Sequence, residues 1–308
     1  MEKVCILLST YNGEKYIDEQ LKSLLEQKNV EVLVLVHDDG SKDSTPDILR
    51  DYAAKYPQIV ILEEAFGQNF GVAKGFSFLL HHAGKMFPEI DYFFFCDQDD
   101  FWLPEKCCRA VKKLYKRKDR PALYYSKKKL VDGSLNPLPR EDKIFRTGSF
   151  WDFFDRSNVF GCTMCMTRSL VEQLADDAFY EHPFLHDNYI YRMCLSAKYP
   201  IIYDDAETIL YRQHGNNVAG AVERNVWRGV KRLFDKDRPH IIREMAQYIL
   251  RTHSDEVNPD FAEILELLVK SEKSFAAKCR LIGMYRKYSR RSVKEKCMFA
   301  VMIMTNYF

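Results

Sequence analysis

Four short apolar runs fall in the first hundred residues, each followed by a stretch of helical periodicity, and this alternation limits the chain to few folds. Val4–Leu8 is wholly apolar, as a strand buried on both faces must be. Glu14–Gln27 follows, with Ile17, Leu21, Leu24 and Leu25 at helical spacing. Val30–Val36 is a second run. A helix restarts at Thr45-Pro46-Asp47, with a Thr cap, Pro at the first helical position and an acid in the first turn. Ile59–Leu62 is a third strand, Gly71–His82 a third helix and Tyr92–Cys96 a fourth strand, and a fourth helix opens near Pro104-Glu105. Strands and helices alternating at this spacing imply βαβ units: an α/β fold with a Rossmann-like, mostly parallel sheet flanked by helices. Ligands of such sheets sit at the carboxyl ends of the strands.

Three polar clusters fall at those ends: Ser9-Thr10-Tyr11-Asn12, Asp38-Asp39-Gly40-Ser41 and Asp97-Gln98-Asp99-Asp100. Carboxylates gathered at one sheet edge repel one another and call for a cation. Asp97 and Asp99 are separated by one residue, and in extended backbone such side chains point the same way. A hard oxygen site with few protein ligands suits Mg2+ or Mn2+ bound through phosphates. An isolated DxD is more often an exposed acidic turn. Its position after an apolar strand, with Asp39 at a neighbouring strand end, favours a joint metal and sugar-nucleotide site.

Further along, the pattern loosens from Pro121 to Val159, where Lys127-Lys128-Lys129, Pro137 and Pro139 suggest connecting strands and loops. Gly161–Thr167 reads as a buried strand, His186–Leu195 as a helix and Pro200–Tyr203 as a strand, before a polar turn at Arg212-Gln213-His214-Gly215-Asn216-Asn217. After about Gly220 only helical signals remain. The expected organisation is a catalytic domain over 1–220 and a helical extension over 221–308.

Composition excludes some functions. Apolar residues make up 46% and aromatic residues 14%, too many for a disordered chain. The net charge of +2 argues against coating nucleic acid by bulk basicity. That total hides an asymmetry: residues 221–308 hold 18 Lys and Arg against 11 Asp and Glu, a net of +7, so residues 1–220 carry −5. Between 278 and 296 stand eight basic residues and one acid, followed by the apolar Met298–Met304. Such a segment suits an anionic leaflet, at about 1 kcal/mol per basic side chain near the surface. The bland alternative is a solvated helical face with a core-packed end. No run approaches the roughly 18 apolar residues of a membrane span, and Val4–Leu8 is too short for a signal-peptide core. The expected location is cytoplasmic, with peripheral contact on the inner membrane face. Nine cysteines are an odd count that does not suggest a disulfide framework. The lone CxxC of Cys162 and Cys165, with no second pair or histidine partners, is weak zinc evidence, and the pair reads as two buried thiols.

Taken in order, these motifs resemble the inverting family-two glycosyltransferases of the GT-A fold, most closely their bacterial rhamnosyltransferase-like branch. The resemblance rests on Leu8-Ser9-Thr10-Tyr11-Asn12-Gly13, on Asp38-Asp39-Gly40-Ser41 with Asp43-Ser44-Thr45, and on Asn69-Phe70-Gly71-Val72. It continues through Asp97-Gln98-Asp99-Asp100-Phe101-Trp102-Leu103-Pro104-Glu105-Lys106, Gly161-Cys162-Thr163-Met164, His186-Asp187 and Tyr211 to Asn217. It covers about 1–220.

The resemblance implies roles. Ser9 and Tyr11 would line the nucleotide pocket. Asp39 would accept a hydrogen bond from N3–H of uracil or thymine, which cytosine lacks. Asn69 and Lys74 would lie close to the donor, with Lys74 toward phosphate. Asp97 would contact ribose or metal, Asp99 and His214 would ligate the metal, and Asp100 would orient the loop. Arg212 and Gln213 would reach phosphate, and Trp102 would shape the acceptor side, with a place in the core as its alternative. Asp187 would be the general base, removing the acceptor hydroxyl proton as that oxygen attacks the anomeric carbon; a helix cap is its bland alternative. The metal would stabilise charge growing on the diphosphate. The implied partners are a nucleotide-diphosphate sugar donor, carrying thymine or uracil with rhamnose as the candidate sugar, and a glycan or lipid-linked glycan acceptor. Rivals fit less well. A phosphohydrolase wants threonine two residues after the second Asp, where Phe101 stands. A nucleotidyltransferase wants a Gly-rich phosphate loop after the first strand. A non-catalytic sugar-nucleotide binder has no need to keep Asp39, Asp99 and Asp187 together.

Overall fold

The computed structural model describes residues 1–139, 149–154, 159–175, 178–182, 184–213 and 240–308. The chain divides into two compact units. The first takes residues 1–146, 158–194 and 199–220; the second takes 147–157, 195–198 and 221–308.

The first unit is built on a sheet with the strands β1 (Glu2–Thr10), β2 (Val30–Asp38), β3 (Ile59–Ile61), β4 (Tyr92–Cys96), β5 (Phe101–Trp102), β6 (Leu123–Val131), β7 (Met164–Thr167) and β8 (Ile201–Arg212). Their order is β3-β2-β1-β4-β7-β6-β8-β5. The half made of β3, β2, β1 and β4 is parallel, as the alternation predicts. The other half is mixed: β7 runs antiparallel to β4 and β6, β6 runs parallel to β8, and β5 runs antiparallel to β8.

Helices α1 (Ile17–Leu25), α2 (Thr45–Lys55), α3 (Gly71–Met86), α4 (Lys106–Leu114), α5 (Arg168–Ala175) and α6 (His186–Ser196) are interleaved with these strands. Val4 to Leu8 of β1 and Tyr92 to Cys96 of β4 have no exposed surface, so both faces of the central strands are covered. Full burial of each such side chain contributes about 1.5–3 kcal/mol. Gly75 lets α3 lie close to the sheet, since a Cβ there would stand 3.3 Å from Ser9 Oγ and 3.4 Å from His37 Cδ2.

Three local expectations are corrected. The cap of α2 is Ser44, not Thr45; Asp43 Oδ1 accepts from both the Thr45 amide (3.0 Å) and its hydroxyl (2.6 Å). Gly161–Thr163 forms a 3-10 turn, and only Met164–Thr167 is strand. The strand expected over Pro200–Tyr203 runs on to Arg212, and its pairing with β6 shifts register around Lys127.

In the second unit the described residues hold α7 (Ile241–Thr252), α8 (Pro259–Lys270), α9 (Phe275–Tyr288) and α10 (Val293–Met304), and no strand. Asn258 and Ser274 cap α8 and α9, and Ser292 with Glu295 forms a capping box on α10. Trp151, Phe154, Tyr285, Phe299 and Phe308 make its aromatic core, with Tyr285 stacked 3.7 Å from Phe299. Among the described residues no helix is long and apolar enough to cross a membrane.

Candidate active site

The carboxyl ends of β1, β2 and β4 bring the three polar clusters together. Each apolar run stops at polar residues where its strand ends. Asp38 ends β2 and accepts from Thr10 Oγ1 (2.9 Å) and from the Ser41 amide (2.9 Å) and hydroxyl (2.5 Å). Gly40, with φ +85°, permits the sharp turn that follows.

Asp39 is buried, and its carboxylate faces the start of α3. It accepts from the Phe70 amide and, at 3.0–3.1 Å, from the Gly71 amide, while Asn69 Nδ2 donates 2.8 Å to its backbone carbonyl. His37 Nε2 lies 3.4 Å from one of its oxygens. Asp39 is therefore the anion at a helix N-terminus, a role the sequence reading did not assign it. Lys74, one turn into α3, is exposed, with its ammonium 5.0 Å from the Phe70 ring centre. Ser9 is half-buried at the end of β1, and Tyr11 is half exposed.

The extended backbone expected over Asp97 to Asp99 is absent, because the chain turns directly after Cys96. Gln98 causes this. Its Oε1 accepts from the Tyr11 amide and its Nε2 donates to the Tyr11 carbonyl, both at 2.8 Å. Gly13 leaves room for that side chain; a Cβ there would stand 2.2 Å from Gln98 Oε1. One consequence is that Asp97 and Asp100, with Cys162, form the close cluster, their ligand atoms within 4.8 Å of one another. Burial, with Asp99 and then Asp187 adding to it, pushes the Asp97 carboxyl up to about 7. Burial also raises Asp100 well above the carboxylate range, again with Asp99 and Asp97 behind it. Asp100 Oδ1 accepts from the Arg212 amide at 3.1 Å, so Asp100 ties the turn to the end of β8.

Asp187 lies in the first turn of α6, half-buried. One oxygen accepts from the Gly161 amide (3.3 Å) and the other from the Asn188 amide (2.6 Å) and side chain (2.9 Å). His186 beside it is packed on Phe76 and Phe95, with ring centres 4.3 and 4.6 Å away. Gly161 has no room for a side chain, since a Cβ would stand 2.4 Å from His186 Nε2.

Two expected contacts are corrected. Arg212 does not offer its side chain to phosphate: the guanidinium is buried against Glu19, donates 2.8 Å to the Gly133 carbonyl and covers the Tyr16 ring. Trp102 is fully buried against Phe94 and belongs to the core. His214 lies outside the described residues. Sequence reasoning missed Cys162 and Lys128. The latter is 3% exposed on β6, with its ammonium 4.5 Å from the Tyr211 ring centre and its charge lowering the Asp97 pKa. The period of two that buries Lys128 and half-exposes Lys127 and Lys129 was the available signal.

Comparison with known proteins gives concordant findings. The family model for glycosyl transferase family 2 matches residues 5–175. The dTDP-rhamnosyl transferase RfbG of Shigella flexneri is 31% identical over 221 residues, 70% of this chain and 74% of that protein. A processive diacylglycerol beta-glycosyltransferase of Mycoplasma pneumoniae is 29% identical over 108 residues, 35% of this chain and 30% of that one. Among solved structures, S. aureus TarS 1-349 in complex with UDP superposes with a TM-score of 0.54 at 19% identity, covering 100% of this chain and 90% of that one.

Proposed function

Because the chain belongs to glycosyl transferase family 2 and is a glycosyltransferase of the GT-A fold, we propose that its sheet edge transfers a sugar, with inversion, from a dTDP- or UDP-sugar to a glycan or lipid-linked glycan acceptor. Rhamnose is the favoured sugar, on the likeness to the Shigella relative. The observation that carries the reading is electrostatic. Asp187 stands far along the sequence from Asp97 and Asp99, yet all three act at one place: burial first, then the charges of Asp99 and Asp187, push the Asp97 carboxyl up to about 7.

Asp187 is the base in this reading. Its carboxylate is steadied by the Gly161 and Asn188 amides, and it takes the proton of the acceptor hydroxyl as that oxygen attacks the anomeric carbon. Asp39 accepts N3–H of the donor's pyrimidine with the lone pairs that α3 leaves free. Ser9, Tyr11 and Asn69 border the nucleotide, and Lys74 offers a charge toward phosphate. The donor set fits a hard cation, since burial and then the neighbouring Asp99 and Asp187 push the Asp97 carboxyl up, and a divalent charge offsets that cost. Asp97 and Asp99, with His214, would hold Mg2+ or Mn2+. When bound, the ion supplies charge stabilisation to the departing diphosphate. The extension over 221–308, with its basic segment, is the part we assign to peripheral membrane contact.

The test is a panel of nucleotide sugars with Mg2+ or Mn2+, run on the wild type and on Asp187→Asn. The variant is expected to lose about 10²–10⁴-fold in transfer while binding nucleotide normally. Near-normal turnover removes Asp187 from the base role, and full activity in EDTA removes the metal.

A further inference from the structure

A thiol stands inside the carboxylate cluster. One oxygen each of Asp97 and Asp100 and the sulfur of Cys162 lie within 4.8 Å of one another. Asp100 and Cys162 are buried and Asp97 is partly so. Their positions are set by backbone: Asp97 follows β4, Cys162 lies two residues before β7, and Phe94 of β4 pairs with Cys165 of β7. Asp100 provides a second, independent mark. Its Oδ1 is used by the Arg212 amide, but its Oδ2 is buried without any hydrogen-bond partner. Native structures keep such atoms rarely, and an ion is one of the things that satisfies them.

The donor set selects the ion. Mg2+ takes oxygen ligands in a near-ideal octahedron, and a sulfur is foreign to it. Two carboxylates and one thiolate suit a tetrahedral zinc-class cation, with the fourth position open. Around zinc at donor distances of about 2.0–2.3 Å, ligand atoms stand roughly 3.5 Å apart, so the cluster would draw in by roughly 1 Å. Burial, then Asp100 and Asp97, raise the Cys162 thiol well above its ordinary value, while the buried ammonium groups of Lys128 and Lys106 oppose that rise, so the thiolate forms with the cation rather than ahead of it.

We propose that Asp97, Asp100 and Cys162 form a binding site for one thiophilic divalent cation of the zinc class. On binding, the Cys162 S–H bond breaks and a sulfur–metal bond forms, the protons of the thiol and of whatever fraction of Asp97 and Asp100 is protonated go to solvent, and no oxidation state changes. The site differs in donor set from the hard pair Asp97 and Asp99 but shares Asp97 with it. Zinc therefore excludes the hard cation, a consequence that rests on the reading above. Zinc binding itself is measured without donor or acceptor, so its failure is separate from a failure of transfer.

The experiment loads the metal-free full chain with one equivalent of Zn2+ and records zinc-edge X-ray absorption. One sulfur at about 2.3 Å is expected, and a shell of oxygen and nitrogen alone overturns the site. Changing the exposed Cys279 and Cys297 to serine should keep the sulfur, and its loss there overturns the assignment. Cys162→Ser should remove the sulfur and weaken zinc at least tenfold by calorimetry, as should Asp100→Asn for affinity. An unchanged sulfur shell in a folded Cys162→Ser also overturns it.

Discussion

His186 adjoins the proposed base, but nothing in its surroundings suits it to move a proton. Both ring nitrogens are buried without a hydrogen-bond partner, and burial holds its pKa below the ordinary value. The folded protein therefore keeps this imidazole neutral, while the unfolded chain protonates it near pH 6.5. Below that pH the unfolded state binds more protons, so stability falls as pH drops, by up to about 1.4 kcal/mol per pH unit. Thermal melts between pH 7 and 5 should show that loss, and His186→Phe should flatten part of it. Equal slopes in both proteins would remove His186 as a cause. At this scale the sequence made Asp39, Asp97 and Asp187 legible, because acids at strand ends and helix starts stand out against apolar runs. Cys162 was legible only as a buried thiol of a CxxC with Cys165. Its place beside the carboxylates was not, because they lie more than 60 residues away.

Helix α3 depends on a residue from another element. Its N-cap, Phe70, makes no side-chain cap bond, and the first amides bond to Asp39 instead. The helix dipole and these bonds together hold the carboxylate against the start of α3. Asp39→Ala should cost about 1 kcal/mol of stability, the usual loss for a helix cap, read as a lower denaturant midpoint. The same variant should bind UDP and dTDP no better than CDP. Unchanged stability would reduce Asp39 to base recognition alone. Elements of the parallel half were legible because each is local, a strand and the helix after it. The Asp97–Asp100 turn was not, because the Gln98 side chain that bends it bonds 87 residues away. The direction of β7 was not legible either, since the loosely patterned stretch before it carries no periodic signal.

Over the whole molecule, the sequence carries +7 in 221–308 against −5 in the rest. In the second unit α9 and α10 expose Phe275, Tyr288, Met298, Val301 and Met304 beside Arg286, Lys287 and Lys294. The protein should sediment with anionic vesicles at low salt and leave them as salt shortens the screening length. Equal recovery in the supernatant with and without vesicles would sink the membrane assignment. Chain connectivity adds a constraint of its own. Asp100 is bonded to Arg212, 112 residues on, and β5 pairs only with β8. The parallel half can pair from the first 96 residues, and Gln98 already ties the acidic turn to Tyr11, whereas the bond to Asp100 waits for a strand made more than a hundred residues later. Distant contacts carry the greater loop-closure entropy and form late. During synthesis, then, the parallel strands stand ready well before Arg212 reaches Asp100, and a nascent chain stopped short of β8 holds the acidic turn at Gln98 but not yet at Asp100.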